Sequence, residues 1–262
     1  MFSRQALPIN FSIPLKVDQY RSFKIEYEKW IYNSKYRVAG LPGTPVIVSG
    51  ITDAFNQLYG LYNTIGIFKG EYGYHQLVNN RVTFNLSKAD CIVVSHPFSA
   101  DGNDSSILLR RADELDIPIF VDCAFFGVCS DIDFDFSKYK NIHSVCFSLS
   151  KTFGTGLDRV GMLFTKDDFP AKEYENWRYP LVTQAALHLD LIKSRSADWA
   201  VNTYREKQLQ ICKEYDLYPS NTLLFGLDYT TKYQAFNRGD VNRVCISALL
   251  NDKVRDVLND LD

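Results

Sequence analysis

Short apolar runs that each stop in small, hydroxylic or ionisable residues restrict most what this chain can fold into. They are TPVIVSG (44–50), ADCIVVSHP (89–97), IPIFVDCAF (117–125), IHSVCFSLS (142–150) and RVGMLFT (159–165). Between them lie stretches with apolar residues at helical spacing, such as TDAFNQLYGLYNTIG (52–66), with Thr52 or Asp53 placed to cap it, and SSILLRRADELD (105–116). Strands this apolar, alternating with helices, predict an α/β fold with a mostly parallel central sheet covered by helices on both faces. Residues 183–214 read as long helix broken near Arg195, followed by strands at 222–229 and 242–250 and a final helix over NDKVRDVLNDLD. That tail predicts a small C-terminal α+β unit. The expected division is an N-terminal arm over 1–43, a large domain over 44–182, and a connecting helix with a reduced small domain over 183–262.

In an open parallel sheet, ligands sit outside the carboxyl ends of the strands. The residues at those ends include Ser49, Gly50, Ser95, Asp122, Ser148, Ser150 and Lys151. A Ser-Gly turn opening a helix offers free N–H groups to a phosphate. Ser148, Ser150 and the two-pronged guanidinium of Arg159 can complete a phosphate cup. Lys151 can condense with an aldehyde, and Asp122 can pair with a protonated pyridine nitrogen. Phosphate, aldehyde and pyridinium together describe pyridoxal 5'-phosphate. Taken singly, each residue has a blander role: a lone lysine is a solvated surface group, and an aspartate after a strand is a turn or helix cap.

Other ligand classes find less support. GTGLDR is not a GxGxxG loop and no GxxxxGK[ST] occurs, so neither a dinucleotide nor a nucleoside triphosphate is indicated. A net charge of -2 gives no footprint for nucleic acid or an anionic membrane. No stretch approaches 18 apolar residues, and no signal-peptide pattern opens the chain. The six cysteines form no CxxC pair, and His96, His143 and His188 show no ligand spacing, so no metal site is expected. Free thiols in a reducing cytoplasm are the simplest reading.

Cys146 to Gly161, CFSLSKTFGTGLDRVG, resembles the signature of the fold-type I pyridoxal-phosphate enzymes, in particular the class I/II aminotransferases. The resemblance runs from about residue 44 to 250. It implies a large cofactor-binding domain, with Lys151 joined to the cofactor as an imine and Ser148, Ser150 and Arg159 on its phosphate. VDCAFFGV places Asp122 at the pyridine nitrogen, and GEYGYHQ makes Tyr72 the residue stacked on the ring, with Tyr74 a rival and His75 hydrogen-bonded to Asp122. SGITDAF supplies Gly50, Ile51 and Thr52 to the phosphate. NRVCISALL offers Arg243 to a substrate α-carboxylate, and no second substrate-binding arginine is evident. Two positions depart from the family. Ser99 stands where an asparagine usually contacts the cofactor's phenolic oxygen, and Phe125 where a tyrosine does. The activity implied is transfer of an amino group between an α-amino acid and a 2-oxo acid, by a homodimer. Tyr32 and Tyr36 are candidates to cross between the subunits. Another reaction on the same cofactor (lyase, decarboxylase, racemase or cyclase) and a non-catalytic relative remain open alternatives.

Overall fold

The computed structural model describes residues 17–174 and 179–251. In chain order the elements are α1 (Val17–Tyr32), β1 (Val38–Ala39), β2 (Thr44–Val48), α2 (Ile51–Leu61), β3 (Ile65–Ile67), α3 (Tyr74–Val78), β4 (Val82–Thr83) and β5 (Cys91–Ser95). They continue with α4 (Ser106–Asp113), β6 (Ile119–Cys123), β7 (Phe134–Asp135), β8 (Ile142–Ser148), α5 (Ser150–Phe153) and β9 (Gly161–Thr165). The last are α6 (Ala171–Tyr174), α7 (Tyr179–Ser194), α8 (Trp199–Glu214), β10 (Tyr218–Pro219), β11 (Phe225–Asp228) and β12 (Asn242–Cys245).

Seven strands form the central sheet in the order β2-β9-β8-β6-β5-β3-β4. From β8 to β4 every pairing is parallel, whereas β9 runs against both its neighbours, β2 and β8. Alternation along each strand explains why two apolar layers form. Ile92, Val94, Val121, Cys123, Val145 and Phe147 join the layer that packs with α1, α4 and α7. Val93, Phe120, Cys146 and Leu163 face the other way, into the layer with Ala54, Phe55 and Leu58 of α2. Strands apolar on both sides are the expected consequence of helices on both faces.

The long helical stretch breaks after Ser194 and resumes at Trp199, where the sequence places the break. Beyond it, β10, β11 and β12 form a small antiparallel sheet. Its apolar side joins α8 and Phe125 in a third core cluster. The strand expected over 242–250 ends at Cys245, because Ser247–Leu250 coils into a short 3-10 turn. The final expected helix lies outside the described residues. Five of the six cysteines are buried free thiols and Cys245 is exposed. No helix among the described residues is long and apolar enough to cross a membrane.

Candidate active site

The carboxyl ends of β2, β5, β6 and β8 converge on a cavity of about 320 Å³. Ile51, Thr52, Tyr72, Ser99, Asp122, Ser148, Ser150, Lys151, Arg159 and Arg243 all line it. Residues from opposite ends of the chain are thus gathered at one face of the sheet.

The turn after β2 shows how the phosphate-type cup is built. Gly50 has φ 75, in the left-handed region that glycine adopts without a Cβ penalty. A Cβ there would also approach the Arg159 Cβ to 3.2 Å, so the glycine lets the arginine pack against the turn. Gly50 is therefore the cap of α2, and the cap makes no side-chain hydrogen bond. This corrects the expected cap at Thr52 or Asp53. The Asp53 carboxylate instead accepts from the Ser49 N–H at 3.0 Å, and the Thr52 hydroxyl accepts from Arg159 Nη1 at 3.1 Å. Arg159 Nε also donates to the Gly156 carbonyl at 3.0 Å, which fixes the guanidinium plane. Across the cup, Ser148 Oγ donates to Ser150 Oγ at 3.1 Å. Hydroxyls, a clamped guanidinium and a helix start in one cavity are the donor set of an anion site.

Lys151 sits in the short helix after β8 and is exposed to the cavity. Asp122 is 5% exposed and accepts from the Ala124 N–H at 2.8 Å. Burial pushes its carboxyl up to about 7, against the opposing pull of that hydrogen bond and of the Lys151 charge. Among the described residues only the Lys151 charge acts on this buried acid, and only through space, so a protonated aromatic nitrogen could still pair with it.

Tyr72 lines the cavity and lies parallel to Tyr74, ring centroids 5.9 Å apart and 17° between planes. The rival Tyr74 reaches away to Asn56 Oδ1 at 2.8 Å. His75 does not bond Asp122. Helix α3 turns its ring edge onto Phe55, centroids 4.4 Å apart, and Nδ1 pairs with the Tyr59 hydroxyl at 2.8 Å. Its Nε2 is buried without a hydrogen-bond partner among the described residues, and burial lowers the imidazole to about 4, so the ring is neutral. The Tyr36 hydroxyl donates within its own chain to the Cys129 carbonyl at 2.8 Å.

The sequence reading missed two groups. Glu71 is 3% exposed; its Oε1 accepts from Ser95 N at 2.5 Å and from Ser95 Oγ at 2.6 Å, while Oε2 has no partner among the described residues. Burial and the neighbouring Asp122 raise its carboxyl to about 8. The second is Arg238, which lines the cavity together with Arg243. Arg243 donates through Nη1 to the Ser99 carbonyl and lies over the Phe225 ring, 4.3 Å from its centroid. Phe225 in turn meets Phe125 edge-on, at 5.4 Å and 87°. Arg238 is exposed, and its neighbour Asp240 pairs at the surface with Lys69 at 3.3 Å.

No protein-family model matches the chain, and no curated protein does. Its fold does match solved structures. A probable N-succinyldiaminopimelate aminotransferase from Thermus thermophilus superposes with a TM-score of 0.67 at 12% identity, over 91% of this chain and 83% of that one. The L-threonine-O-3-phosphate decarboxylase from Porphyromonas gingivalis gives 0.59 at 13% identity, over 91% and 90%. A PLP-bound C-S lyase from Staphylococcus hominis gives 0.64 at 11% identity, over 93% and 82%. The chain has the fold of fold-type I aminotransferases.

Proposed function

We propose that the chain is a pyridoxal-phosphate-dependent enzyme of amino-acid chemistry, and specifically an aminotransferase working between an α-amino acid and a 2-oxo acid. One observation carries the reading. Lys151, the buried acid Asp122 and the Thr52–Arg159 cup share one cavity, and each supplies what a different part of that cofactor needs. Thr52, Ser148, Ser150 and Arg159 would hold its phosphate, Asp122 its ring nitrogen, and Tyr72 a face of the ring. When bound, the cofactor supplies an electron sink for the pair left behind when a bond at the substrate Cα breaks.

The chain's own residues do the rest. Lys151 Nζ would take the proton from the substrate Cα and hold it as an ammonium group. Arg243 docks the α-carboxylate; its held guanidinium limits rotation of the substrate, and so selects which Cα bond is presented for cleavage. The Asp122 carboxylate keeps a positive charge beside it, while Phe125 and Phe225 close that wall of the cavity against water. A homodimer belongs to the same reading, with sedimentation as its measurement.

The decarboxylase and the C-S lyase among the similar folds make the reaction type a separate question from the cofactor. The test is borohydride reduction of the loaded protein followed by peptide mass analysis, then incubation with a panel of amino acids. A pyridoxyl group on Lys151 and conversion of the cofactor to its amine form support the reading. Release of ammonia or carbon dioxide instead would replace transfer by elimination or decarboxylation. A pyridoxyl group on any other lysine would overturn the site.

A further inference from the structure

One buried acid has no part in the reading above. Glu71 follows β3 in a tight turn whose Gly70 has φ 94, and a Cβ at Gly70 would stand 2.8 Å from the Ala100 Cβ. The glycine lets the turn pass close against the loop after β5, and the turn closes with Glu71 N donating to the Phe68 carbonyl at 3.2 Å. This delivers the carboxyl to Ser95, which lines the cavity and pairs in register with Asp122. Glu71 is not itself among the lining residues.

Tying down Ser95 does not explain a carboxyl, because the amide oxygen of a glutamine would accept the same two hydrogen bonds. What a carboxyl adds is a proton that can be held or released. Both Ser95 donors occupy Oε1, which leaves the proton to Oε2, buried without a partner among the described residues. An O–H left without an acceptor there costs less than an unpaired charge. The nearby cations are placed elsewhere. Lys69 pairs with Asp240 at 3.3 Å, and the Arg111 guanidinium lies over the Phe68 ring, 5.7 Å from its centroid. Arg238 is exposed, with Nη1 3.9 Å from where a Cβ on Gly73 would be. In α3, His75 is neutral and turned to Tyr59. The charged group that acts on Glu71 is Asp122, and it strengthens the hold that burial gives the proton. Lys151 acts on Asp122 in the opposite sense. Glu71 therefore keeps its proton to about 8, and Asp122 only to about 7.

Building on the reading above, we propose that Glu71 is a positioning residue for Asp122: in the loaded enzyme it holds a proton on Oε2, so that the two acids together present one negative charge, on Asp122, to the cofactor's ring nitrogen. When that proton leaves, a second negative charge stands near the ring cation.

The test is infrared difference spectroscopy of the protein loaded with pyridoxal phosphate, wild type against Glu71→Gln, at pH 6.5 and pH 9.5. At pH 6.5 the wild type should show a protonated-carboxyl stretch that the variant lacks, and at pH 9.5 that band should be lost. Asp122→Asn should keep the band at pH 6.5, which assigns it to Glu71 even if Glu71→Gln does not fold. Equilibrium dialysis then compares pyridoxal phosphate with its 1-deaza analogue, in which C–H replaces the ring nitrogen. Between the two pH values the preference for the nitrogen should rise in the wild type by about three-fold or more relative to Glu71→Gln, since only the wild type gains a charge. A wild type without the band at pH 6.5, or a band lost in Asp122→Asn and kept in Glu71→Gln, overturns the assignment. An identical pH response in wild type and Glu71→Gln overturns the link to the ring nitrogen. Borohydride labelling of Lys151 in the same preparations separates the two levels. A labelled protein without the band defeats the role of Glu71 alone, and an unlabelled one defeats the cofactor reading on which it rests.

Discussion

Glu71 receives both hydrogen bonds that Ser95 can send it, one from the backbone N–H and one from the hydroxyl, through a single carboxyl oxygen. Its other oxygen is buried without a partner among the described residues, and Ser95 sits in register opposite Asp122 on the neighbouring strand. Glu71 and the cavity-lining Asp122 are therefore both buried and near enough for the charge of Asp122 to act on Glu71, so ionising both is costly.

A pH dependence of stability follows. Glu71 rises from an ordinary 4.5 to about 8, and Asp122 from 3.8 to about 7. Between those limits the folded protein holds protons that the unfolded chain releases, so stability falls as pH rises. The penalty is absent below the unfolded values and complete above about 8. One such proton gives a slope of at most about 1.4 kcal/mol per pH unit. Urea unfolding of the unloaded protein at pH 5.5 and pH 8 should show the loss, and Glu71→Gln should flatten it. A wild-type profile that is flat or rises over this range would contradict the placement of both acids.

Asp122→Asn should separate stability from function. Removing a charge whose burial outweighs its hydrogen bond from Ala124 and the pull of Lys151 should raise the melting temperature of the unloaded protein at pH 8 by a few degrees, roughly the effect of 1 kcal/mol in a chain of this size. The same change should reduce turnover of the loaded enzyme by orders of magnitude. Scanning calorimetry and a steady-state assay report the two effects, and a variant less stable at pH 8 would go against the argument.

Arg159→Ala should weaken cofactor retention about ten- to a hundred-fold, the loss of one charge-assisted hydrogen-bonding clamp. Thr52→Val, which removes the hydroxyl that anchors the guanidinium, should weaken it less. Equilibrium dialysis measures both, and the order of the two effects is the sensitive outcome.

Gly161→Ala probes the cup from behind. A Cβ at Gly161 would stand 2.6 Å from the Phe147 carbonyl and 3.3 Å from the Gly50 Cα. The backbone must shift, at a cost of about 1–3 kcal/mol. Because the Phe147 carbonyl that must move immediately precedes Ser148, and the Gly50 Cα is crowded as well, cofactor retention should fall along with the urea midpoint. Gly60→Ala is the control, since nothing lies within 4 Å of a Cβ there.

The strand ends of the sheet were legible because local chemistry marks them. Asp122, Ser148, Ser150 and Lys151 each interrupt an apolar run, and a run buried on both faces has no other use for them. Strand direction was not legible: β9 is as apolar as its neighbours, and only its pairing shows that it runs the opposite way. Glu71 was hidden for a similar reason. An acid in a loop reads as solvated until the β5–β6 pairing brings Ser95 over it. Arg238 depends on the antiparallel β11–β12 register and on the Asp228 loop that returns it to the cavity. His75 shows the opposite failure, in which a motif suggested a bond to Asp122 and the packing of α3 on Phe55 and Tyr59 gave the ring a different partner.

The sheet order also sets a schedule for the chain as it is made. Strand β2 is synthesised first among the seven but pairs only with β9, more than a hundred residues later. Until β9 has left the ribosome, β2 has no place in the sheet, and Thr52 and Arg159 cannot meet. Contacts this distant in sequence form late and slowly. A nascent chain ending before Arg159 would therefore have most of the parallel sheet and no phosphate cup, so ligand capture can report the moment when the edge of the sheet closes.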